Sequence, residues 1–323
     1  MTTQTTRNFF NPPEHASNQS TFTVVLAFAV NLVIAIAKSI AAVLTGSASM
    51  TAEAAHSWAD AGNEVFLLVA DRRSRKPRDR RHPMGYGREA YVWSMFAAFG
   101  LFVAGAAVSF MHGIQQLITP EPASDFVVAY VVLAVSFVLE GISFSQAWRQ
   151  AHRMASQLNR ATLAHVVNSS NPTMRAVFAE DAAALIGLAI AFAGVLAHQL
   201  TGNPVPDALG SILVGVLLGV VALILIDRNR RFLVGESVQR DVDRLAVQML
   251  LDRPEIERVT YIHLEFVGPE RLYLVAAVDI TGDFSETHVA VELRRVEREL
   301  EDNPLVEEAV LTLSTPEEKS IQP

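Results

Sequence analysis

Long apolar runs separated by short polar segments extend from about residue 21 to 226, and the chain is charged and mixed after about residue 234. A helix needs about 20 mostly apolar residues to cross the hydrocarbon core of a bilayer. The pattern therefore predicts a membrane all-α fold with six transmembrane helices. Their predicted ranges are 22–44, 48–70, 90–117, 125–147, 175–200 and 206–226.

The charged C-terminal part has the periodicities of a small α/β domain. Apolar residues recur at helical spacing in 237–251 and 285–301, and alternate as in strands in 256–267, 271–280 and 305–313. The order α-β-β-α-β predicts a ferredoxin-like sandwich in the cytoplasm.

These patterns divide the chain into five parts. We expect a flexible cytoplasmic arm, a transport domain, a linker, a cytoplasmic ferredoxin-like dimerisation domain and a short tail. Their predicted ranges are 1–20, 21–227, 228–236, 237–315 and 316–323.

The distribution of basic residues predicts the orientation in the membrane. Seven basic residues lie between Arg72 and Arg81, and arginines also follow the fourth and sixth spans, whereas the alternate loops contain no Lys or Arg. Positive loops remain in the cytoplasm, so both termini are expected there. The 23 arginines against 3 lysines favour a bacterial source, and hence the bacterial plasma (inner) membrane.

Charge and cysteine content exclude several partners. From Phe232 onward the chain has 20 acidic and 9 basic residues, which disfavours nucleic acid as a partner. The chain has no cysteine, so disulfides and thiolate metal sites are excluded.

The second predicted span carries an unusual row of polar side chains. Glu53, His56, Asp60 and Asn63 follow spacings of 3, 4 and 3, which place them along one stripe of a helix, with Glu64 beside them near the inner interface. An ionisable residue within a span costs about 2.5–3.5 kcal/mol on insertion scales, so such a cluster indicates function. His56 and Asp60 can present a nitrogen and an oxygen to one ion.

A second acidic group lies in the fifth span. Glu180 and Asp181 are flanked by alanines that allow close helix packing, and they point about 100° apart on a helix, so one of them is expected to face the same centre. Together with His56 and Asp60 this N/O donor set suits a divalent first-row metal. The alternative is that these polar residues only form hydrogen bonds between helices.

Three other charged residues lie within the spans and have less specific interpretations. Lys38 can extend to the interface or pair with a carboxylate. Glu140 is consistent with gating, proton handling or a structural hydrogen bond, and Asp207 is expected to cap a helix.

Four segments together resemble the cation diffusion facilitators. They are GSASMTAEAAHSWADAGNE (46–64), RHPMGYGRE (81–89), VFAEDAAALIG (177–187) and PDALGSILVG (206–215). The resemblance covers essentially the whole chain and implies a homodimeric antiporter that moves a divalent metal out of the cytoplasm in exchange for protons. The metal is then a substrate, and no cofactor is implied.

The resemblance also implies a metal site. The family's pair on the second span corresponds to His56 and Asp60, and the last aspartate of its fifth-span pair corresponds to Asp181, whereas the remaining position is Val177, which cannot coordinate. This departure resembles the branch that contains the mitochondrial zinc-transporter-like proteins. The resemblance then implies that Glu180, Asn63 or water completes the metal shell in this chain. A retained histidine favours zinc, or cobalt, over manganese and iron.

Two further family sites are incomplete in this chain. The family's loop motif Asp-x-x-His-x-x-x-His is reduced to Asp79 and His82, because Tyr86 stands in the last position. In the C-terminal domain only His263 and His288 could contribute to additional metal sites, and we expect that domain mainly to dimerise.

Proton coupling is expected at His56, Asp60 and Asp181, since metal and protons compete for the same atoms. The main alternative is a membrane metal sensor or scaffold with vestigial transport. Manganese, iron or cobalt are alternative substrates, and a membrane metalloenzyme is disfavoured because the chain has no HExxH motif.

Overall fold

The computed structural model describes residues 21–120, 125–157, 160–238 and 240–322. The predicted N-terminal arm at 1–20 lies outside the described residues. The remainder forms a helical domain followed by a three-stranded C-terminal domain. The helices of the first domain are α1 (Thr21–Thr45), α2 (Ala48–Ser74), α3 (Glu89–Ile118), α4 (Phe126–Gln157), α5 (Thr162–Asn168), α6 (Pro172–Thr201) and α7 (Val205–Val234).

Four of these helices, α3, α4, α6 and α7, are long and apolar enough to cross a membrane. In α1 the described apolar stretch, Asn31–Thr45, is shorter. The 27 residues of α2 include six charged side chains, which lower its mean hydropathy. The charged side chains of the helix that carries the polar stripe thus weaken its membrane signal.

Several helix bounds differ from the sequence prediction. α4 extends about ten residues beyond 147, and α7 runs to Val234 through most of the segment predicted as a linker. Both extensions carry arginines, which lower the apolar signal without disturbing helix geometry. α5 was not predicted, and α3 contains a π-helical turn at Leu101–Ala107.

Small residues allow α3 and α7 to pack closely. A Cβ atom on Gly215 would lie 2.8 Å from the backbone nitrogen of Phe110, and one on Gly113 would lie 2.8 Å from the carbonyl oxygen of Ala208. Contacts of this kind between backbones are typical of helices packed within a membrane.

Asp207 fastens the start of α2 to α7. Its carboxylate accepts hydrogen bonds from the Ser47 hydroxyl (2.9 Å) and from the backbone N–H groups of Ala48 (2.8 Å) and Ser49 (3.2 Å). It thus caps a helix, as predicted, but the helix is α2 rather than its own. This contact lies at the end of the helical domain where α1 leads into α2 and α6 leads into α7, hereafter the distal end.

The C-terminal domain has the predicted element order. It consists of α8 (Arg240–Leu251), β1 (Ile256–Gly268), β2 (Arg271–Ile280), α9 (Glu286–Glu301) and β3 (Val306–Leu313). The sheet order is β1-β2-β3, with β1 antiparallel and β3 parallel to β2. This sheet has one strand fewer than a complete βαββαβ ferredoxin-like unit.

Both helices cover the same face of this sheet and form one apolar core with it. The even-numbered side chains of β2 from Leu272 to Ile280 point into that core. The other face carries Tyr261, Tyr273, Val275 and Val310, with no helix over it within the described residues.

The two domains meet at the turn between β1 and β2. A Cβ atom on Gly87, in the loop between α2 and α3, would lie 2.5 Å from the carbonyl oxygen of Val267 and 2.7 Å from the Cα of Gly268. Arg88 forms an ion pair with Glu265, and the backbone N–H of Glu270 donates to the Ser170 hydroxyl (3.1 Å). The end of the helical domain that meets this turn is hereafter the proximal end.

Gly87→Ala should weaken this contact, because the added methyl group meets backbone atoms that cannot rotate away. We expect a loss of stability of about 1–3 kcal/mol, the range typical of overpacking. Thermal unfolding in detergent measures it. Gly100→Ala is the control, since its added Cβ meets nothing within 4 Å. Equal unfolding temperatures for the two variants would contradict the close domain contact.

Candidate metal transport site

The polar stripe of α2 faces the interior of the helical domain, and most of its members have a partner on another helix. From the distal end towards the proximal end, four pairs follow one another. They are Glu53 with Lys38 of α1, His56 with Asp60 of α2 itself, Asn63 with Glu180 of α6, and Glu64 with Asn31 of α1.

His56 and Asp60 lie one turn apart and face each other. The His56 Nε2 atom is 3.5 Å from Asp60 Oδ2, the His56 side chain is fully buried, and that of Asp60 is 16% exposed. Among the residues that the structure describes, neither ring nitrogen of His56 has a hydrogen-bond partner, and neither does Asp60 Oδ1. An unpartnered buried imidazole beside a carboxylate leaves lone pairs available for a cation.

The two adjacent carboxylates of α6 point in different directions. Glu180 is buried and accepts a hydrogen bond from the Asn63 amide of α2. Asp181 instead accepts a hydrogen bond from the Ser143 hydroxyl of α4 (2.8 Å). The sequence analysis expected one of the two to face the centre shared with α2, and in this structure that residue is Glu180.

Val177, at the fifth-span position where the family has a ligand, is 37% exposed. It lies one helical turn before Asp181. Within the described parts of the chain, no three His, Asp or Glu side chains stand close enough together to hold a metal ion. The arrangement therefore consists of paired donors distributed along α2 and α6 rather than one closed coordination shell.

The remaining charged residues of the helices have distinct surroundings. Lys38 and Glu53 form a fully buried ion pair with an N–O distance of 3.0 Å. Of the two roles expected for Lys38, the structure therefore has the pairing with a carboxylate. Glu140 on α4 is half-buried, and no hydrogen bond or ion pair joins it to another described residue.

The loop pair Asp79 and His82 forms a local hydrogen-bonded turn. Tyr86 donates its hydroxyl hydrogen to Asp79 Oδ2 (2.8 Å), its ring lies 4.0 Å from that of His82, and His82 Nδ1 is 3.4 Å from Asp79 Oδ1. The Tyr86 hydroxyl, followed by the backbone N–H of His82, holds the pKa of Asp79 below its usual range. Tyr86 stands at the position where the resemblance implies a histidine ligand. Its hydrogen bond to Asp79 orders the turn instead.

Among the described residues, neither histidine of the C-terminal domain belongs to a group of three His, Asp or Glu side chains that could hold a metal ion. His263 is 44% exposed and lies 3.8 Å from Glu265, a residue that also binds Arg88 at the domain contact. His288 is exposed, with its ring 4.3 Å from that of Phe284.

Two partners of the buried carboxylates were not identified from the sequence. Asn31 donates to Glu64 (2.6 Å), and Ser143 holds Asp181. Both are hydrogen-bonding residues within apolar runs, and such a position indicates a polar partner on another helix. The sequence does not indicate which carboxylate each of them reaches.

Comparison with known proteins agrees with these features. The family model described as the cation efflux transmembrane domain matches residues 24–234. Metal tolerance protein C4 of Arabidopsis thaliana is 36% identical over 231 residues, which is 72% of this chain and 50% of that protein. The mitochondrial proton-coupled zinc antiporter SLC30A9 of Xenopus laevis is 34% identical over 259 residues, 80% of this chain and 46% of that protein.

A more distant relative is magnetosome protein MamB of Magnetospira sp. (strain QH-2), which is 26% identical over 272 residues, 83% of this chain and 87% of that protein. The chain spans only about half the length of the plant and frog relatives. The family model nevertheless covers well over half of the chain and includes every helix that carries the polar stripe and its partners. The chain belongs to the cation efflux family, the cation diffusion facilitators that its four sequence segments resemble.

Proposed function

We propose that this protein is a secondary transporter that exports a divalent metal cation, with zinc as the preferred substrate, from the cytoplasm in exchange for protons. The observation that carries the proposal is the buried His56–Asp60 pair with its unpartnered nitrogen and oxygen atoms, inside the domain that matches the cation efflux family. Buried polar atoms without partners are costly in an apolar surrounding, so a cation that binds them removes a penalty.

The proposed metal shell takes His56 Nε2 and Asp60 from α2 and a carboxylate from α6. Glu180 is the nearer candidate, because its hydrogen bond to Asn63 already joins α6 to the stripe. Asn63 Oδ1 has no partner and is available as a further oxygen donor. Asp181 enters the shell only after its side chain leaves Ser143. Recruitment of Asp181 thus requires a carboxylate rotation that breaks its hydrogen bond to α4 and turns it towards α2.

Protons are exchanged at the atoms that bind the metal. An imidazole binds metal only when neutral, and a carboxylate only when ionised, so arrival of the metal expels protons and arrival of protons expels the metal. His56, Asp60 and Asp181 are the proposed coupling residues. Asp60 and Asp181 are both partly exposed.

Zinc as substrate is supported by the histidine in the proposed shell and by the zinc antiporter among the relatives. The names of metal tolerance protein C4 and magnetosome protein MamB do not specify zinc, so manganese, iron and cobalt are to be compared in the same assay. The weakly liganded loop pair Asp79 and His82, and the separate His263 and His288, are assigned no part in transport.

The proposed topology has six spans with both termini in the cytoplasm of a bacterial cell, in its plasma membrane. α2 would be about 40 Å long at 1.5 Å per residue, enough to cross a bilayer. Its charges at Glu53, Asp60 and Glu64 are buried or partly buried, whereas Asp71, Arg72 and Arg73 are exposed near its end. The proposed homodimer uses the sheet face that carries Tyr261, Tyr273, Val275 and Val310, because an uncovered face with aromatic residues is suited to an interface.

Asp60→Asn should abolish zinc transport while leaving the protein folded, because the amide keeps the side-chain shape but loses the anionic oxygen. Zinc uptake into everted membrane vesicles under a proton gradient measures this transport. Asp71→Asn is the matched control on the same helix, since Asp71 is exposed and bonds only to its neighbour Arg75 among the described residues. Normal uptake by Asp60→Asn would contradict the assignment. Zinc binding without any flux by the wild type would favour a sensor or scaffold.

Glu180→Gln and Asp181→Asn separate the two carboxylates of α6. The structure leads us to expect a fall in zinc affinity of about tenfold or more for Glu180→Gln, the effect of losing a metal contact, and a smaller fall for Asp181→Asn. Isothermal titration calorimetry of the purified variants measures both. If only Asp181→Asn lost affinity, the family correspondence would hold and Glu180 would have a structural role.

A further inference from the structure

A second buried charge pair lies between the proposed metal site and the distal end. Lys38 Nζ of α1 is 3.0 Å from Glu53 Oε2 of α2, and both side chains are completely buried. Glu53 precedes His56 by one helical turn on the same stripe of α2. The proposed mechanism does not use this pair. Any ion that leaves the site along the stripe towards the distal end has to pass it.

We propose that the Lys38–Glu53 ion pair is the distal gate of the transport site, with Lys38 as a tethered cation that has to leave Glu53 before a metal ion can pass. This inference rests on the proposed transport function and adds to it the residues that close one side of the site. It assigns to Lys38 and Glu53 a role in positioning and closure, not in binding the metal at rest.

The first observation behind the proposal is the closure at this level of the helical domain. Glu53 spans the gap between α1 and α6, because its Oε2 atom binds Lys38 while its Oε1 atom lies 2.7 Å from the position that a Cβ atom on Gly187 would take. Only a glycine at 187 leaves room for this oxygen against the helix backbone. Three helices are therefore held together at Glu53.

The second observation is an asymmetry of exposure along the stripe. Lys38, Glu53 and His56 are completely buried, whereas Asp60 is 16% exposed and Glu64, further towards the proximal end, is partly exposed. Exposure along the stripe is therefore lowest at Lys38, Glu53 and His56, while Asn63 and Glu180 on the proximal side are also buried. At the distal end α2 is additionally fastened to α7 through Asp207.

The third observation concerns charge. Glu53 Oε1 has no hydrogen-bond partner although it is buried, so the carboxylate has a free lone pair directed away from Lys38. A dication that reaches Glu53 repels the ammonium group and competes with it for the same carboxylate. Exchange of Lys38 for the metal keeps Glu53 compensated at every stage, whereas an unoccupied Glu53 would be a bare buried anion.

The test uses full-length protein in proteoliposomes, with zinc as the probe. Removal of one charge would leave the other unpaired, so the informative variant is the double substitution Lys38→Met with Glu53→Gln, which removes both charges at similar volume. We expect the double variant to bind zinc with the affinity of the wild type. Its zinc leak without a proton gradient should rise by about tenfold or more, and accumulation driven by a gradient should be lost.

Gly187→Ala provides a test that keeps both charges. Its added Cβ displaces Glu53 Oε1 and should also raise the zinc leak, whereas Gly141→Ala, whose Cβ meets nothing within 4 Å, should not. This comparison decides the matter if the double variant fails to fold. Equal leaks from Gly187→Ala and Gly141→Ala would then overturn the gate.

The outcomes for the gate and for transport can be told apart. One outcome is that the wild type transports zinc and the double variant shows the same zinc leak and the same gradient-driven accumulation as the wild type. In that case the pair only neutralises two buried charges and the gate is wrong. If the wild type moves no zinc in any condition, the proposed function is wrong and the gate fails with it.

Discussion

The polar stripe of α2 has to be compensated inside the helical domain, and the packing of the helices around α2 is organised by this requirement. An ionisable side chain within a membrane costs about 2.5–3.5 kcal/mol on insertion scales unless it finds a partner. Here α1 supplies Lys38 and Asn31, and α6 supplies Glu180. His56 and Asp60 are left with unpartnered atoms, which makes them the natural place for a cation.

Contacts at both ends of the helical domain hold α2 in place. At the distal end Asp207 caps α2 from α7, and at the proximal end the Gly87–Gly268 contact joins the helices to the C-terminal sheet. α2 is thus fixed at its start and followed by a loop held against the second domain.

Sequence predicted much of this architecture because the signals are periodic and local. The α-β-β-α-β order followed from alternating apolar positions, and the stripe from spacings of 3, 4 and 3 on α2. The arginine-rich ends of α4 and α7 were missed as helix, since charge hides them from a hydropathy criterion. The separation of Glu180 from Asp181 depends on Asn63 and Ser143, which are distant in sequence, and local patterns contain no information on such pairs.

The central claim is that metal and protons compete for the same atoms of His56 and Asp60. Its most direct test is calorimetry of zinc binding to the full-length protein near neutral pH, in buffers that differ in ionisation enthalpy. Released protons are taken up by the buffer, so the account predicts a binding heat that varies with the buffer in the wild type and varies less in His56→Gln. A binding heat independent of the buffer in the wild type would show that zinc binds without releasing protons and would contradict the account.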